Sequence, residues 1–226
     1  ILKRKDLIDY SINSLEYNSK CVNENSIFFA IKGSIKNGND YIDDCILKGC
    51  RTFITNDVIA FEKYHKFKGI NIFYYKNINK IMAIISKRFY KDISRKLYII
   101  GITGTNGKTT TSTLIYKYLL SIKEKASLIG TNGVYINNEY FEEENTTPNI
   151  LRIYKYLDLS YKYDIKYVIM EVSSHAISLD RVLGIKFKIK CLTNISLDHL
   201  DFHKNFENYK KTKEKWLKID NFTQKI

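Results

Sequence analysis

Between Gly101 and Thr110 the chain reads Gly-Ile-Thr-Gly-Thr-Asn-Gly-Lys-Thr-Thr. Glycines in such a run let backbone N–H groups turn inward around phosphate oxygens, and the start of a following helix adds partial positive charge. Lys108 can then reach β- and γ-phosphates, and the Thr109 hydroxyl can ligate Mg2+. That is the chemistry of nucleoside triphosphate binding, with Gly104, Thr105, Asn106, Gly107, Lys108, Thr109 and Thr110 as the candidate contacts. The general pattern GxxxxGK[ST] is not met, because Ile102 rather than glycine stands five residues before Gly107. A plain glycine-rich turn is the bland alternative, but Gly-Lys-Thr after an apolar run and before helical spacing is the context that phosphate binding requires.

Other chemistry-bearing residues lie further along the chain. Glu171 closes the apolar run Tyr167-Val168-Ile169-Met170, and a carboxylate at the carboxyl edge of a parallel sheet is placed to hold Mg2+ beside phosphate. Asp198, His199, Asp201 and His203 form a dense polar cluster. His199 and His203 alone would suit a zinc pair on a helix, but no HExxH glutamate lies between them and the cluster follows a strand end. Thr146 and Thr147 offer hydroxyl donors and Arg181 a planar fork for phosphate or carboxylate. Lys213 sits among Lys210, Lys211, Lys215 and Lys218, so composition alone makes it a solvated lysine.

These residues need strands and helices to bring them together. Ser26 to Gly33, Arg51 to Thr55 and Ile70 to Tyr75 are short β-branched and aromatic runs, separated by stretches of helical spacing that start at Asp40 and Asn77. Residues 1–92 therefore read as a small α/β domain. A second unit, 93–226, opens with the buried strand Lys96 to Gly104, then a helix whose apolar face is set by Leu114, Ile115, Tyr118 and Leu119. Tyr167 to Val172 and Phe187 to Ile195 read as further strands, with a helix over Asn149 to Leu159 after a β-hairpin region. The fold class is α/β: a small N-terminal domain followed by a P-loop-type, open, mostly parallel sheet. The helical stretch from Phe206 has too few strands behind it to complete a sheet of ordinary size, so the second unit reads as truncated.

Of the 226 residues, 37 are Lys or Arg and 24 are Asp or Glu, a formal charge of +13. A content of 44% hydrophobic residues excludes general disorder. The lysine excess accompanies Ile, Asn and Tyr excesses and a single proline, a codon-bias pattern that weakens the case for nucleic acid; an anionic small molecule accounts for the remainder. No apolar run approaches the ~20 residues that span a bilayer. The first twelve residues carry no apolar targeting segment, which places the chain in the cytoplasm. Cys21, Cys45, Cys50 and Cys191 form no CxxC pair and read as buried, reduced thiols.

Thr103 to Thr110 resembles the ATP loop of the Mur ligases and their folylpolyglutamate synthase relatives. Asn145-Thr146-Thr147-Pro148, Glu171-Val172-Ser173-Ser174-His175 and Asn194 to Asp201 succeed it in the order and spacing of the UDP-N-acetylmuramoyl-tripeptide synthetase branch. The resemblance runs from about Asn18 to the last residue, over the family's first domain and about half of its central one. It implies an ATP-dependent ligase that transfers the γ-phosphate to the D-Glu carboxylate of UDP-N-acetylmuramoyl-L-Ala-D-Glu. An amino-acid amine, from L-Lys or meso-diaminopimelate, then displaces the phosphate; a fragment of this length would be inactive alone.

The resemblance further implies Mg2+ at Thr109, Glu171 and His199, and a metal-binding carbamate on Lys213, with Lys211 and Lys215 as register alternatives. Lys108, Glu171, His199 and Lys213 are then the catalytic set. Asn145, Thr146, Thr147, Ser173 and Arg181 contact the muramoyl-peptide, although Leu179 stands where the family commonly has glutamine. On the uridine side Asn18, Lys20, Asn37 and Asn39 differ from the family's residues, which leaves Ser19 as the contact carried over. ATP and Mg2+ are the cofactors, the UDP-linked dipeptide and a free amino acid the partners, and a monomer without nucleic acid the expected state.

Overall fold

Runs rich in Val, Ile, Phe and Thr suit a pleated surface buried on both faces, and parallel strands need long crossovers between them. Both conditions hold in the computed structural model, which describes residues 7–33, 36–218 and 224–225. Residues 1–6 and Ile219, included in two of the segments read above, lie outside the described residues. β1 (Ser14–Glu16), β2 (Ser26–Ala30), β3 (Thr52–Thr55) and β4 (Asn71–Tyr74) form a parallel sheet in sequence order. The crossovers are α1 (Ile42–Leu47) and α2 (Val58–Tyr64), whose Ile42, Cys45, Ala60 and Tyr64 pack on Phe28, Phe53 and Ile72. Phe28 and Phe53 meet edge to face at 6.3 Å. Cys45 and Cys50 are buried here, whereas Cys21 is exposed and Cys191 half-buried, so the expectation of four buried thiols holds for two.

The compact units divide at Met82 and Ala83, inside α3 (Ile78–Phe89), ahead of the boundary read after residue 92. The end of that helix belongs with the second unit, where Tyr90 stacks on the buried Tyr154 at 6.0 Å.

This second unit holds a seven-stranded sheet. Its strands are β5 (Tyr98–Thr103), β6 (Ala126–Gly130), β7 (Gly133–Ile136), β8 (Glu139–Phe141), β9 (Tyr167–Glu171), β10 (Ile189–Leu192) and β11 (Gln224–Lys225). Across the sheet the order is β11-β10-β5-β9-β6-β7-β8, parallel except for the antiparallel β6-β7-β8 meander. The expectation of too few strands is corrected, because β6 and β11 add to those read from the sequence. α4 (Lys108–Ser121) crosses from β5 to β6, and α5 (Ile150–Lys162), capped by the Asn149 side chain, leads into β9. α6 (Ser174–Ser178), α7 (Leu200–His203) and α8 (Phe206–Lys218) complete the described helices. Among the described residues no helix is long and apolar enough to cross a membrane.

The apolar face assigned to α4 is also corrected. Ile115, Tyr116 and Leu119 pack on the sheet, while Leu114 and Tyr118 are each 63% exposed. Apolar residues surround this helix, so their spacing does not select a face. The buried polar Ser112 does, because it shares the face of Ile115, Tyr116 and Leu119 and its hydroxyl lies 3.3 Å from the Glu171 carboxylate.

Candidate active site

The parallel strands β5, β6, β9 and β10 end on one edge of the sheet, where open α/β sheets place their ligands. β5 and α4 are joined by Gly104 to Gly107. Gly107 caps the helix at φ 82, a left-handed conformation that suits glycine. A Cβ on Gly104 would strike the Thr193 hydroxyl, so that position must also stay bare. Thr193 and Asn194, just beyond β10, hold the loop from outside. The Thr193 hydroxyl donates to the Asn106 carbonyl at 2.6 Å, and the Asn194 amide exchanges hydrogen bonds with Asn106 at 3.0 and 3.1 Å. Thr105 donates its N–H to the Asn194 carbonyl at 3.0 Å. The N–H groups of Thr105 and Asn106 are thus satisfied within the chain, whereas those of Lys108, Thr109 and Thr110 open the helix and point along its positive end.

Lys108 bends back over the loop, donating to the Gly104 and Thr105 carbonyls at 2.8 Å each. Burial lowers its pKa, opposed by the negative charges of Glu171 and Asp198. Glu171, 1% exposed at the end of β9, accepts from Thr109 at 2.9 Å and from the Thr131 hydroxyl and N–H at 3.0 and 3.1 Å. A buried carboxylate whose neighbours are hydroxyls is a hard oxygen donor, which is the chemistry of a Mg2+ site. Among the described residues no three His, Cys, Asp or Glu side chains converge on one point. A cation held by Thr109 and Glu171 would therefore complete its shell with phosphate oxygens and water, as Mg2+ commonly does.

Lys213 approaches the same loop from α8. It is 1% exposed, and its ammonium donates to the Gly104 carbonyl at 3.1 Å and to the Thr103 hydroxyl at 3.2 Å. Burial, aided by the neighbouring Lys108 cation and opposed by Asp198, pushes its pKa down to about 7. Lys211 and Lys215 face solvent, with Lys211 paired to Glu207 at 3.6 Å. His199, at φ 52, starts α7 with its ring 3.4 Å from Asp198 and edge to face with His175 at 4.8 Å. Burial lowers the pKa of His175 and of His203, and neighbouring histidines push both further down.

On the opposite side, the Thr147 hydroxyl donates to the Glu171 carbonyl at 2.9 Å and accepts the Ser173 N–H at 3.0 Å. Arg181 donates to the Thr147 carbonyl at 3.0 Å. The resulting cleft of about 350 Å³ is lined by Lys108, Asn145, Thr146, Ser173, Arg181, His199 and Lys213 among others. All seven are candidates in the sequence reading, Asn145, Ser173 and Lys213 through the family resemblance. Ser19 lies in the first unit, in a short 3-10 turn capped by Asn18, and its carbonyl accepts from Lys48 at 2.7 Å.

Sequence reasoning missed Thr131, Thr193 and Ser112, and used Tyr209 only to set the register of Lys213 in the resemblance. Thr131 carried a signal, since Gly130 to Gly133 repeats the Gly-Thr-Asn-Gly of Gly104 to Gly107, each at the end of a strand on the same sheet edge.

A family model described as the Mur ligase middle domain matches residues 102–220. The chain is 42% identical over 207 residues to "UDP-N-acetylmuramoyl-L-alanyl-D-glutamate--2,6-diaminopimelate ligase 1" of Clostridium acetobutylicum, covering 91% of this chain and 42% of that protein. It is 36% identical over 215 residues to the Clostridioides difficile ligase of the same name without the numeral, covering 95% and 43%. A solved structure of such a diaminopimelate ligase is similar with a TM-score of 0.73 at 26% identity, over 91% of this chain and 41% of that one. The MurF ligase from Thermotoga maritima in complex with ADP shares the fold, with a TM-score of 0.60 at 22% identity over 92% and 43%. The chain spans about two fifths of the length of the curated relatives it matches.

Proposed function

The chain belongs to the Mur ligase family, and from that premise we propose that it carries the ATP site and the acceptor cleft of a ligase of peptidoglycan precursor synthesis. The reaction is ATP-dependent amide formation on UDP-N-acetylmuramoyl-L-Ala-D-Glu: the D-Glu carboxylate accepts the γ-phosphate, and an amine then displaces phosphate from the acyl phosphate. The amine is that of 2,6-diaminopimelate, which the relatives' names give, with L-lysine as the alternative. The protein acts as a cytoplasmic monomer in this reading, on substrates that are small and water-soluble.

The observation that carries the proposal is Glu171, a buried carboxylate within hydrogen-bond distance of the phosphate-loop hydroxyl of Thr109, whose negative charge acts on Lys108, a residue that lines the cleft with Lys213 and Arg181. When bound, ATP supplies the activating phosphoryl group and Mg2+ neutralises charge on the phosphates. Around them, the loop and the α4 N-terminus would orient the phosphates, Lys108 would follow the β- and γ-oxygens, Thr109 and Glu171 would hold one metal ion, and His199 would hold a second. Asn145, Thr146, Ser173 and Arg181 seat the acceptor's peptide and carboxylate, and the buried Thr147 holds Ser173 and Arg181 in place behind them. Ser19 contacts the uridine part.

Lys213 has a separate role. With its pKa at about 7 a large fraction of the amine is neutral at physiological pH, and a neutral amine adds to CO2, losing one proton to give a carbamate. The new carboxylate would be a further oxygen ligand for metal.

Titration of this chain with MgATP tests the nucleotide half. Lys108→Ala should weaken binding strongly, and an unchanged affinity in a folded variant removes the phosphate loop from the proposal. In a protein of the relatives' full length, Lys213→Ala should abolish ligation, with partial rescue by acetate or formate, whereas Lys211→Ala and Lys215→Ala should do little. A fully active Lys213→Ala variant would refute the carbamate.

A further inference from the structure

Tyr209 lies outside every role assigned above, yet it is fully buried between the phosphate loop and the histidine cluster. Its hydroxyl is 2.8 Å from that of Thr105. Its ring lies under the Lys213 ammonium, 4.8 Å from the centroid, and meets His203 edge to face at 5.3 Å. We propose that Tyr209 is a positioning residue that ties the phosphate loop to α8 through Thr105 and so sets the place of Lys108.

The hydrogen bonds around Thr105 support this. A threonine hydroxyl has one proton and two lone pairs. The Thr105 hydroxyl receives the Ser196 N–H at 2.9 Å and lies 3.2 Å from the Ser196 carbonyl, so its own proton goes to that carbonyl. The remaining lone pair takes the phenol proton of Tyr209. A buried phenol must find such a partner, and here the partner is on the loop. The backbone carbonyl of Thr105 accepts from Lys108, and the adjacent Gly104 carbonyl accepts from both Lys108 and Lys213. Tyr209 therefore fixes the side chain of Thr105 while the backbone of Thr105 and Gly104 seats the two lysines. Lys213 lies one helical turn beyond Tyr209, so ring and ammonium share a face of α8. If the phenol bond is removed, the loop keeps its Thr193 and Asn194 contacts but loses this link to the helix.

The inference rests on the phosphate-loop reading, and one experiment separates the two. MgATP affinity of this chain is measured for wild type, Lys108→Ala, Tyr209→Phe, Thr105→Val and the Thr105→Val/Tyr209→Phe double variant, with thermal midpoints alongside. Tyr209→Phe keeps the ring under Lys213 and removes one hydrogen bond, so its Kd should rise about fivefold. The double variant should bind no more weakly than Thr105→Val alone, because the bond can be lost only once. A general structural role would lower the thermal midpoint and give losses that multiply in the double variant. If Lys108→Ala weakens binding while Tyr209→Phe binds as wild type, or if the two losses multiply, the positioning role is wrong and the phosphate loop stands. If Lys108→Ala has no effect, the phosphate-loop reading fails and this inference with it.

Discussion

Burying a lysine beside a second lysine should leave a measurable mark on stability. Lys213 is 1% exposed, stands near Lys108, and its pKa is pushed from 10.5 to about 7. The fold therefore favours the neutral amine. Well above the unfolded value the amine is neutral in both states and contributes no penalty. As pH falls, the unfolded chain takes up a proton that the folded chain refuses until about pH 7, so stability declines through that window and levels off below it. Every tenfold rise in proton concentration across the window costs about 1.4 kcal/mol, which makes the loss between about pH 9.5 and about pH 7 roughly 3 kcal/mol. Lys213→Met keeps the length and apolar stem of the side chain but has no proton to take up. The difference in urea unfolding free energy between wild type and variant, in CO2-free buffer, should thus change by roughly 3 kcal/mol across that range, while other titrating groups cancel. Trp216, the chain's single tryptophan, is buried on the same helix and reports the transition by fluorescence. Bicarbonate near neutral pH should stabilise wild type alone, since a carbamate forms only on the folded protein's neutral amine. A difference that does not vary with pH would mean that Lys213 is hydrated or paired, and its proposed reactivity toward CO2 would lose its basis.

Gly101→Ala would bring a Cβ to 2.6 Å from the Phe187 ring and 2.9 Å from Trp216, two rings that pack edge to face at 5.1 Å. It should cost about 1–3 kcal/mol by denaturant unfolding, and a neutral result would contradict that packing. Glu171→Gln should leave Mg2+-free nucleotide binding near wild type and weaken the Mg2+-dependent increment at least about tenfold, the order expected for losing a charged ligand. Equal Mg2+ dependence in calorimetry would remove Glu171 from the metal site. Thr147→Val removes the hydroxyl that joins the Glu171 carbonyl to the Ser173 N–H, and should weaken binding of the UDP-linked dipeptide more than binding of MgATP. Titrations with the two ligands compare the effects directly.

A residue combination is legible in a sequence to the extent that it has few uses. Gly-Lys-Thr between a buried strand and a helix has one dominant use, so Gly104 to Thr110 stand out without any knowledge of the fold. A glutamate closing an apolar strand is similarly constrained, because the sheet edge is where such a strand ends. Helix faces are less legible. Leu114, Ile115, Tyr116, Tyr118, Leu119 and Leu120 surround α4 so evenly that apolar spacing alone wrongly puts Leu114 and Tyr118 against the sheet; the deciding residue is the polar Ser112.

In α8 the difficulty is of another kind. Five lysines occupy thirteen residues, and charge counting makes all of them solvent-facing. What singles out Lys213 is that Tyr209 precedes it by four residues and Trp216 lies three beyond it, a buried stripe at helical spacing into which one amine is drawn. The stripe could have been read from sequence, but its meaning could not. The partners that make burial of an amine tolerable are the Gly104 carbonyl and the Thr103 hydroxyl, more than a hundred residues away in the chain. A carbonyl is common to every residue, so no pattern of side-chain types marks the one that will face a lysine. It becomes visible only when β5 and α8 are packed together, and the same packing gives Tyr209 its place beside Thr105.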